Sequence, residues 1–459
     1  MKLHIVILAA GQGTRMRSAL PKVLHPLAGR PMLGHVLDTA RQLAPAGLHV
    51  VVGHGAESVR EACAAPDIEW VLQPQQLGTG HAVLQALPGI PEDALVLVLY
   101  GDVPLLRAQT LAALVGAAPA LLTAHLGDPD GYGRVLRDPQ GALRGVVEQR
   151  DADAQQRAIR EINTGVLAYP ARLLHDYLPR VGNGNAQGEY YLPDVLAMAI
   201  ADGHAVTAMP AEDARDTAGI NDRLQLAAAE RMLQQRRAQQ LMRDGATLAD
   251  PQRIDIRGSL HCGSDVFIDV NCVFEGAVTL GEGVRVGAHC VLRDVHIGAG
   301  SSVQPFSHLE GAQLATGCSV GPFARLRRGT VLADRACIGN FVETKKAHIG
   351  KGSKVNHLSY IGDAALGAGV NVGAGTITCN YDGVNKHRTS IGDGVFVGSN
   401  STLVAPVALG AGGFIAAGST VTEDVPVDAL AVGRGRQRNI DNWVTPKDRA
   451  AAADAGGEH

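Results

Sequence analysis

The stretch "IGDGVFVGSNSTLVAPVALGAGGFIAAGSTV", residues 391–421, carries an aliphatic side chain at every sixth position. Hexapeptide repeats of this kind are typical of a parallel β-helix, in which each of these side chains points into a narrow interior. The stretch therefore predicts a parallel β-helix for the second half of the chain. The aliphatic positions are Ile391, Val397, Leu403, Leu409, Ile415 and Val421.

The same six-residue spacing occurs earlier in the chain. A stack of aliphatic side chains agrees with an aromatic content of only 4%. Residues 379–390, "CNYDGVNKHRTS", break the repeat, and we predict a loop there that projects from the coil. The earlier positions are Ile268, Phe274, Leu280 and Val286, then the pairs Val303 and Leu309, Val320 and Leu326, and Val355 and Ile361.

The first half of the chain is organised differently, because strand-like and helix-like segments alternate in it. The runs "HIVILAAG", "GLHVVVGHG" and "DALVLVLYGD" are continuously apolar, as strands buried on both faces require. Segments with helical spacing lie between them, so we predict an α/β domain with a mostly parallel sheet covered by helices. Its ligand is expected at the carboxyl ends of the strands, where both "AAGQGTR" and "YGDVP" lie.

The Gly-rich turn "LAAGQGTRM", residues 8–16, follows the first of these strands and has the character of a phosphate-binding loop. Gly11 and Gly13 supply two glycines of the dinucleotide-binding fingerprint, but Met16 stands where the third is needed. The P-loop pattern fails too, since no G-K-[ST] sequence follows. The turn therefore matches neither common template.

Residues 222–244 contain neither Gly nor Pro and are rich in Ala, Leu, Gln and Arg. This composition predicts one long helix that ends before Gly245 and links two domains. We therefore predict an α/β domain over residues 1–223, a linker helix over residues 224–244 and a β-helix domain over residues 245–459.

The composition of the 459 residues is that of a soluble globular protein, with 46% hydrophobic and 19% charged residues. A net charge of −4 gives no reason to expect nucleic acid or an anionic membrane surface as a partner. The seven cysteines include no C-x-x-C pair, which fits thiols in a reducing cytosol. Because no apolar stretch reaches the ~18 residues of a membrane helix and no signal peptide is evident, we expect a cytoplasmic protein without membrane insertion.

Two side chains near the Gly-rich turn point to phosphate chemistry. Asp102 follows a buried strand at the ligand edge, where a carboxylate suits Mg²⁺, a hard ion that prefers oxygen ligands and substrate phosphates. A turn residue or a helix cap before Pro104 is the alternative for Asp102. Lys22 lies just after the turn and could neutralise a phosphate, although a single lysine is commonly a solvated surface charge.

The segment "FVETKKAHIGKGSKVNHLSYIGD", residues 341–363, brings four lysines and two histidines into the β-helix. A basic face on a passive scaffold is one interpretation, since charge runs are usually solvated. A catalytic site is the other. His357 illustrates the choice, because strand alternation from Val355 would turn it inward, and only a coil corner would turn it outward to a ligand.

Together these motifs closely resemble the bifunctional bacterial N-acetylglucosamine-1-phosphate uridyltransferase/glucosamine-1-phosphate acetyltransferases. The resemblance covers about residues 3–445 and is carried by "LAAGQGTRM…LPKVL", "QLGTGHA", "YGDVP", "GYGRV", "EINTGV", "NAQGEYYLPDV" and "GINDRLQL". The family implies a Rossmann-like nucleotidyltransferase domain and a left-handed β-helix. It also implies synthesis of UDP-N-acetylglucosamine, which feeds peptidoglycan and lipopolysaccharide. Acetyl-CoA would acetylate glucosamine-1-phosphate in the second domain, and UTP would then donate a uridylyl group in the first.

The resemblance also implies roles for residues of the first domain. The turn residues Leu8, Ala9, Ala10 and Gly11 would lie against the nucleotide, with Tyr100 and Gly101 completing the site, and Lys22 would face the phosphates. Gln73, Gly78 and Thr79 would surround the uracil. Asp102 and Asn221 would hold Mg²⁺, and Gly133, Glu148 and Asn163 would contact the sugar.

In the second domain the family makes His357 the general base, which takes a proton from the glucosamine amine as it attacks the thioester of acetyl-CoA. An imidazole, with an ordinary pKa of about 6.5, is suited to this role near pH 7. Glu343 would orient that histidine. Arg327 and Lys345 would bind the sugar phosphate. The rest of the sugar site would be Tyr360, Asn371, Asn380 and Tyr381, and acetyl-CoA would meet Ala374, Ser399, Ala417 and Arg434.

One residue departs from the family pattern. The sequence "RLRRG", residues 325–329, has Arg328 where the family has proline, which leaves open which arginine meets the phosphate. The family further implies a homotrimer with shared acetyltransferase sites. We predict inert packing for Cys337 and Cys379, and disorder for the tail "AAADAGGEH", residues 451–459.

Three other functions fit parts of the sequence. A nucleotidyltransferase with a regulatory β-helix, as in the glucose-1-phosphate adenylyltransferases, would have no use for His357, Lys345 and the "TCNYDG" segment together. A nicotinamide-dependent oxidoreductase is disfavoured by Met16 and by the lack of an acidic residue about 20 positions on at a strand end. A non-catalytic sugar-nucleotide-binding protein would not need Asp102 together with Asn221.

Overall fold

The computed structural model describes residues 1–455, and the chain folds into two compact units. The first unit contains Met1–Arg243 and Asp250–Ser259, and the second contains Asp244–Ala249 and the chain from Leu260 onward. The helix predicted as a linker thus belongs to the first unit. Within residues 1–455, every helix is too short or too polar to cross a membrane.

A mixed sheet lies at the centre of the first unit. Its strands are β1 (Leu3–Ala9), β2 (Gly47–Val52), β3 (Ile68–Leu72), β4 (Leu95–Tyr100), β5 (Ala120–His125), β6 (Arg134–Arg137), β7 (Leu143–Val147), β8 (Glu161–Pro170) and β9 (Thr207–Pro210). They pair in the order β9-β5-β8-β4-β1-β2-β3, and β6 and β7 extend the sheet from β8. Strands β1 to β4 run parallel, as the sequence predicts, whereas β8 runs antiparallel between β4 and β5.

Helices cover both faces of this sheet. They are α1 (Met32–Arg41), α2 (Ala56–Ala62), α3 (Thr79–Ala86), α4 (Ala108–Gly116), α5 (Ala154–Arg157), α6 (Ala171–Tyr177), α7 (Asp194–Ala201) and α8 (Arg223–Arg243). Val6 and Leu8 of β1 pack in one core with α3, α6 and α7, and Ile5 and Ile7 pack in another with α1, α2 and α4. Because both faces of β1 are buried, the strand is apolar at every central position.

Short elements connect these strands and helices. Single turns of 3-10 helix cover Thr14–Met16, Lys22–Leu24, Leu87–Gly89, Leu178–Arg180 and Ala214–Thr217, and Pro26–Leu27 pairs antiparallel with Arg30–Pro31.

Helix α8 is fixed to the first unit by an apolar cluster around Ala229 and by polar contacts. The buried Gln234 side chain donates to the carbonyl of Ile256 (2.9 Å) and accepts from its N–H (2.8 Å). Its amide thus satisfies both backbone groups of Ile256, as the backbone of a paired strand does. Arg236 donates to the carbonyl of Leu105 (3.1 Å) and forms an ion pair with Asp216. These contacts explain why a polar helix that reads as a plain linker packs against one unit.

The strands of the second unit stack in parallel columns, as the hexapeptide pattern predicts. In the middle of the coil, residues at the same position of successive turns are 17 or 18 apart, as for Val320, Ile338 and Val355. Each turn of the coil therefore holds about three hexapeptides.

Three columns account for the described strands of the coil. The first column contains Thr247–Leu248, Phe267–Ile268, Arg285–Val286, Ser302–Val303, Ser319–Val320, Cys337–Asn340, Lys354–His357, Asn371–Val372, Phe396–Val397, Phe414–Ile415 and Leu430–Ala431. The second contains Val291–Arg293, His308–Glu310, Arg325–Leu326, Glu343–Lys345, Tyr360–Gly362, Ile377–Cys379, Thr402–Val404 and Thr420–Val421. The third contains His296–Ile297, Gln313–Leu314, Val331–Leu332, His348–Ile349, Ala364–Leu366, Thr389–Ile391 and Val407–Leu409. Cys272–Leu280 contributes to the second and third columns, and Ile254–Cys262 runs from the first unit into the second.

The interior of the coil confirms the six-residue pattern. Each aliphatic or aromatic position that the pattern selects is at most 5% exposed. Cysteines also occupy this interior, where Cys272 and Cys290 donate to backbone carbonyls at 3.2 Å. Burial raises the pKa of the Cys272 thiol to about 11 and that of Cys290 to about 12, so both are poor nucleophiles. Cys337 and Cys379 are partly exposed, and their inertness stays a prediction.

The loop and the tail differ in how well the sequence predicts them. The loop predicted over residues 379–390 spans residues 380–388, because Cys379 and Thr389 belong to strands, and an antiparallel bridge joins Tyr381 and Lys386 within it. The prediction of disorder is wrong for residues 451–455, which end helix α9 (Pro446–Ala455). Alanine favours helix more strongly than any other residue, which accounts for this difference. Residues 456–459 of the predicted tail lie outside the described residues.

An aromatic ladder runs along one corner of the coil. It consists of Phe306, Phe323 and Phe341, one per turn, with neighbouring ring centroids 4.9 and 5.3 Å apart. All three residues have a positive φ, between 54° and 61°, which is uncommon for bulky side chains. Each side chain is about half exposed, so the ladder forms an apolar strip on the surface.

Candidate active sites

A cleft of about 250 Å³ opens at the carboxyl ends of β1 and β4 in the first unit. Its wall also includes Gln76 and Glu189, which sequence reasoning missed although both lie inside quoted motifs. Gly101 is held behind this wall by the bond from its N–H to the carbonyl of Leu8 (2.9 Å). The predicted nucleotide residues that line the cleft are Leu8, Ala9, Ala10, Gly11, Lys22, Gln73, Gly78, Thr79, Tyr100 and Asp102.

Met16 shows why the turn lacks the third glycine of the dinucleotide fingerprint. Gly13 adopts a φ of 64°, and the chain then enters the 3-10 turn Thr14–Met16. The Met16 side chain is 1% exposed and packs in a cluster with Leu27 and Met32. An apolar core residue therefore fixes the end of the turn, where a dinucleotide-binding loop has glycine for close helix packing.

Three side chains converge at one end of the cleft. Lys22 Nζ forms an ion pair with the Asp102 carboxylate and donates to Asn221 Oδ1 (3.1 Å). The N–H of Ile220 donates to the Asp102 carbonyl (2.9 Å), which ties the segment before Asn221 to the end of β4. The two predicted metal ligands thus already present oxygen atoms to a single cation.

The donor set at this point suits Mg²⁺. A carboxylate and an amide oxygen are hard ligands, and Mg²⁺ commonly takes one or two protein oxygens together with substrate phosphates. Among the described residues, no cluster of three or more His, Cys, Asp or Glu side chains is arranged for a metal. A metal held by Asp102 and Asn221 would therefore complete its shell with phosphate and water oxygens.

Tyr100 lies in the wall of the cleft, near Glu148 of the group predicted to hold the sugar. Burial raises the pKa of Tyr100, and the nearby charge of Glu148 adds to the rise. Burial also raises the pKa of Glu148, and neighbouring carboxylates add to it, while a hydrogen bond with Asn163 opposes the shift. The Asn163 N–H donates to the carbonyl of Gly133 (2.9 Å). The structure thus brings Gly133, Glu148 and Asn163 together.

The predicted uracil contacts are held by bonds within the first unit. Gln73 is 3% exposed, and its side-chain amide donates to the carbonyl of Gly78 (3.2 Å). Thr79 Oγ1 accepts from the N–H of Leu192 (3.1 Å). These bonds fix the wall before any ligand arrives.

His357 lies on the outside of the coil. In the strand Lys354–His357, Val355 points inward and is 0% exposed, whereas His357 is exposed. Leu358, with a φ of 46°, turns the chain at the next position. The coil corner therefore directs the imidazole to solvent, and the inward alternative is excluded.

Glu343 and His357 contact different side chains in this structure. Glu343 Oε1 accepts from Arg327 Nη1 (3.0 Å), whereas His357 Nδ1 lies 2.9 Å from Asn340 Oδ1. The strand register explains the difference, because Asn340 stands opposite His357 in the first column and Glu343 stands opposite Tyr360 in the second. The histidine thus meets a neutral amide and not a carboxylate.

Three cationic side chains, Arg327, Lys345 and Lys386, lie near one another on the coil. Lys386 lowers the pKa of Lys345 through a hydrogen bond and through its charge, and Arg327 adds to the effect. Lys386 was missed by sequence reasoning, because only the folded loop at residues 380–388 brings it back to the coil. Asn380 anchors that loop by donating to the Asp363 carboxylate. An excess of positive charge at one point is what a phosphate group requires.

The remaining predicted residues occupy two places on the coil. Asn371 faces outward in the first column, and Tyr381 begins the projecting loop. Ala374, Ser399 and Ala417 form a line along one corner, with their carbonyls bound to the next turn. The carbonyl of Ala374 accepts from the N–H of Asn400 (2.7 Å), and that of Ser399 accepts from the N–H of Gly418 (2.8 Å). The carbonyl of Ala417 accepts from Arg434 Nη1 (2.7 Å).

Arg328 points away from this group. Its guanidinium lies 3.5 Å from Asp294 Oδ2 and 3.6 Å from Glu310 Oε1, on earlier turns of the coil. Arg327 instead pairs with Glu343 beside Tyr360. The geometry therefore favours Arg327 as the arginine of the candidate phosphate site.

Two domain matches agree with this division of the chain. Residues 5–165 match the MobA-like NTP transferase domain, and residues 260–294 match the bacterial transferase hexapeptide (six repeats). Fold and sites together define a two-domain transferase that joins a nucleotidyltransferase to a hexapeptide-repeat transferase.

Relatives extend over nearly the whole chain. The bifunctional protein GlmU of Alkalilimnicola ehrlichii is 59% identical over 459 residues, which is 99% of each chain. Those of Marinobacter nauticus and Stutzerimonas stutzeri are 56% and 57% identical, over 97% of this chain and 99% of theirs. The chain belongs to the family of bifunctional GlmU proteins. This membership confirms the predicted fold class, and it confirms that the chain is a bifunctional uridyltransferase and acetyltransferase. The left hand of the coil stays a prediction.

Proposed function

We propose that the cleft of the first unit transfers a uridylyl group from UTP to N-acetylglucosamine-1-phosphate. We propose further that the outer face of the second unit acetylates glucosamine-1-phosphate with acetyl-CoA. One observation carries this assignment: the predicted residues converge in two groups, one at the carboxyl ends of β1 and β4 and one around His357 and Lys345. Each group lies within a single unit, so the two reactions use separate sites.

In the first reaction an oxygen of the sugar phosphate attacks the α-phosphorus of UTP. A new P–O bond forms as the bond to pyrophosphate breaks, and pyrophosphate leaves with the electron pair. The chain contributes position and charge. Gln73 and Gly78 hold the base, Lys22 neutralises phosphate charge, and Glu148 with Asn163 holds the sugar.

Asp102 and Asn221 are the residues that would hold Mg²⁺ in this cleft. Support comes from the convergence of their side-chain oxygens on the Lys22 ammonium. When bound, the ion supplies charge neutralisation on the phosphates.

In the second reaction the neutral amine of glucosamine-1-phosphate attacks the thioester carbon of acetyl-CoA. A C–N bond forms, the amine gives a proton to the His357 imidazole, and the C–S bond breaks. The sulfur leaves with the electron pair and regains a proton, so the products are N-acetylglucosamine-1-phosphate and free CoA thiol. Arg327, Lys345 and Lys386 hold the sugar phosphate. The line of Ala374, Ser399, Ala417 and Arg434 is the proposed path of acetyl-CoA.

We also propose a cytoplasmic homotrimer, whose coils meet along the aromatic ladder. Support comes from the three half-exposed Phe rings, since apolar strips of this kind mark contact surfaces. Phe323→Asp should therefore dissociate the trimer into monomers in light scattering. Leu224→Asp, at an exposed apolar residue of α8, is the control and should stay trimeric. A trimeric Phe323→Asp variant would contradict the proposed contact.

The test of both activities supplies each half-reaction separately. Pyrophosphate release is followed with UTP and N-acetylglucosamine-1-phosphate, and thiol release is followed with acetyl-CoA and glucosamine-1-phosphate. We expect both products. Pyrophosphate without thiol would indicate a nucleotidyltransferase with a regulatory β-helix, and neither product would indicate a binding protein.

A further inference from the structure

We infer that Asn340 is a positioning residue for acetyl transfer, which holds the imidazole of His357 in the tautomer that accepts a proton. The inference rests on the proposed function of His357. It starts from the contact of 2.9 Å between His357 Nδ1 and Asn340 Oδ1. The family resemblance assigned this orienting role to Glu343, which the structure instead pairs with Arg327.

The backbone fixes both partners of this contact. Asn340 and His357 stand opposite each other in neighbouring parallel strands, and the Leu358 N–H donates to the Asn340 carbonyl (3.1 Å). Gly339 allows the close approach of these strands, because a Cβ there would lie 2.6 Å from the carbonyl carbon of Asn356. The distance between the amide and the imidazole is therefore set by strand pairing and not by flexible side chains alone.

An amide oxygen can only accept a hydrogen bond, so the Nδ1 that faces it carries the hydrogen. Nε2 then holds the free lone pair and can take the proton of the attacking amine. Once Nε2 is protonated, the imidazolium continues to donate from Nδ1 to Asn340, and this bond to a charged group is stronger than the original one. The contact thus favours the protonated state that forms during the reaction.

An amide also differs from a carboxylate in the charge that it brings. A carboxylate beside an imidazole favours the protonated ring before substrate binds, and a protonated ring cannot act as base. Asn340 orients the ring without adding a charge beside it.

The first measurement is kcat and KM of acetyl transfer for Asn340→Ala. Loss of a hydrogen bond to a charged group should lower kcat roughly 10–100-fold, with little change in the KM for either substrate. Asn271→Ala is the matched control, because Asn271 contacts His289 (3.3 Å) elsewhere on the same coil. It should leave kcat unchanged. An unchanged kcat in Asn340→Ala would overturn the inference.

The second measurement is the pH profile of kcat for Asn340→Asp, which keeps the shape of the side chain. The added charge should move the acid limb to higher pH by roughly 1 unit. A profile that does not move overturns the inference even if Asn340→Ala fails to fold.

The third measurement adds Asn340→Ala to a His357→Ala background. We expect no further loss, since a residue that acts through His357 has nothing left to position. An additional loss of the full single-variant size would show that Asn340 acts independently. If His357→Ala alone keeps its acetylation rate, then the proposed function of His357 fails, and the inference fails with it.

Discussion

Arg327 and Arg328 are adjacent in sequence, yet their guanidinium groups form ion pairs with different carboxylates. Arg327 pairs with Glu343 at 3.0 Å and raises the local positive charge at Lys345. Arg328 contacts carboxylates on earlier turns and is 67% exposed. A strand pair followed by a corner sends consecutive side chains in different directions, and this separates the two charges.

This difference predicts unequal effects of matched substitutions. Arg327→Gln should raise the KM for glucosamine-1-phosphate roughly 10–100-fold, because a charge-assisted bond to phosphate is lost. Arg328→Gln should leave that KM unchanged. Thiol release at varied sugar phosphate measures both. A larger effect of Arg328→Gln would reverse the assignment.

Single residues also show what the sequence could and could not predict. The place of Asp102 after a buried strand was enough to select it as a candidate metal ligand, whereas the roles of Lys22 and His357 came from the family resemblance. The partner of each side chain depends on register between strands, which six-residue spacing does not specify. The contact of His357 with Asn340 was therefore not predicted, and the orienting role of Glu343 stays a prediction.

At the scale of elements, strands β1, β2 and β3 place three titratable side chains at the edge opposite the cleft. His4 Nδ1 lies 3.1 Å from His49 Nε2, and the rings stack with centroids 5.4 Å apart. His49 Nδ1 lies 3.1 Å from Glu69 Oε2. The two imidazoles are 8% and 1% exposed, so they are buried as a pair.

The buried pair predicts that the first unit loses stability in mild acid. Burial lowers the pKa of His4 and of His49, although the charge of Glu69 opposes the shift at both. Below about pH 6.5 the unfolded chain therefore binds protons that the folded chain does not, and the free energy of unfolding falls as the pH falls. Above that pH both states are neutral at these positions.

Urea denaturation from pH 7 to pH 5 measures this effect, with Trp70 fluorescence as the probe in a Trp443→Phe background. The His4→Gln/His49→Gln variant should show a smaller decrease than the parent. His204→Gln, at an exposed histidine, is the control and should behave as the parent. An undiminished decrease in the double variant would place the acid sensitivity elsewhere.

Elements differ in how well their sequences specify them. Each interior position of the coil requires an aliphatic side chain, so the six-residue period of these side chains predicts the turns. Helix α8 was predicted from its composition, but its attachment depends on Gln234 bonding to the backbone of Ile256. Such a bond leaves no periodic signal, because one buried amide does not make an apolar stripe.

At the scale of the whole molecule, the chain joins two reactions in which the product of one is the substrate of the other. Each compact unit holds one of the two candidate sites, and the residues of each site come from that unit. A change of period from strand–helix alternation to hexapeptides is enough to predict this division. The exact boundary is harder to predict, because the strand Ile254–Cys262 runs from one unit into the other.

Fold and candidate sites together imply that one chain carries two independent catalytic sites, and two variants check this independence. Asp102→Ala removes a carboxylate from the first cleft, and His357→Ala removes the proposed base from the second site, a loss typically worth 10²–10⁴-fold in rate. Asp93→Ala and His348→Ala are the matched controls, at exposed residues outside both groups.

The measurement is conversion of glucosamine-1-phosphate, acetyl-CoA and UTP to UDP-N-acetylglucosamine by each variant and by their mixture. We predict that Asp102→Ala releases CoA thiol but no pyrophosphate, and that His357→Ala releases pyrophosphate only when N-acetylglucosamine-1-phosphate is supplied. Mixing the two variants should restore the overall conversion, because the intermediate can pass through solution. A variant that loses both half-reactions while still folded, or a mixture that stays inactive, would contradict two independent sites.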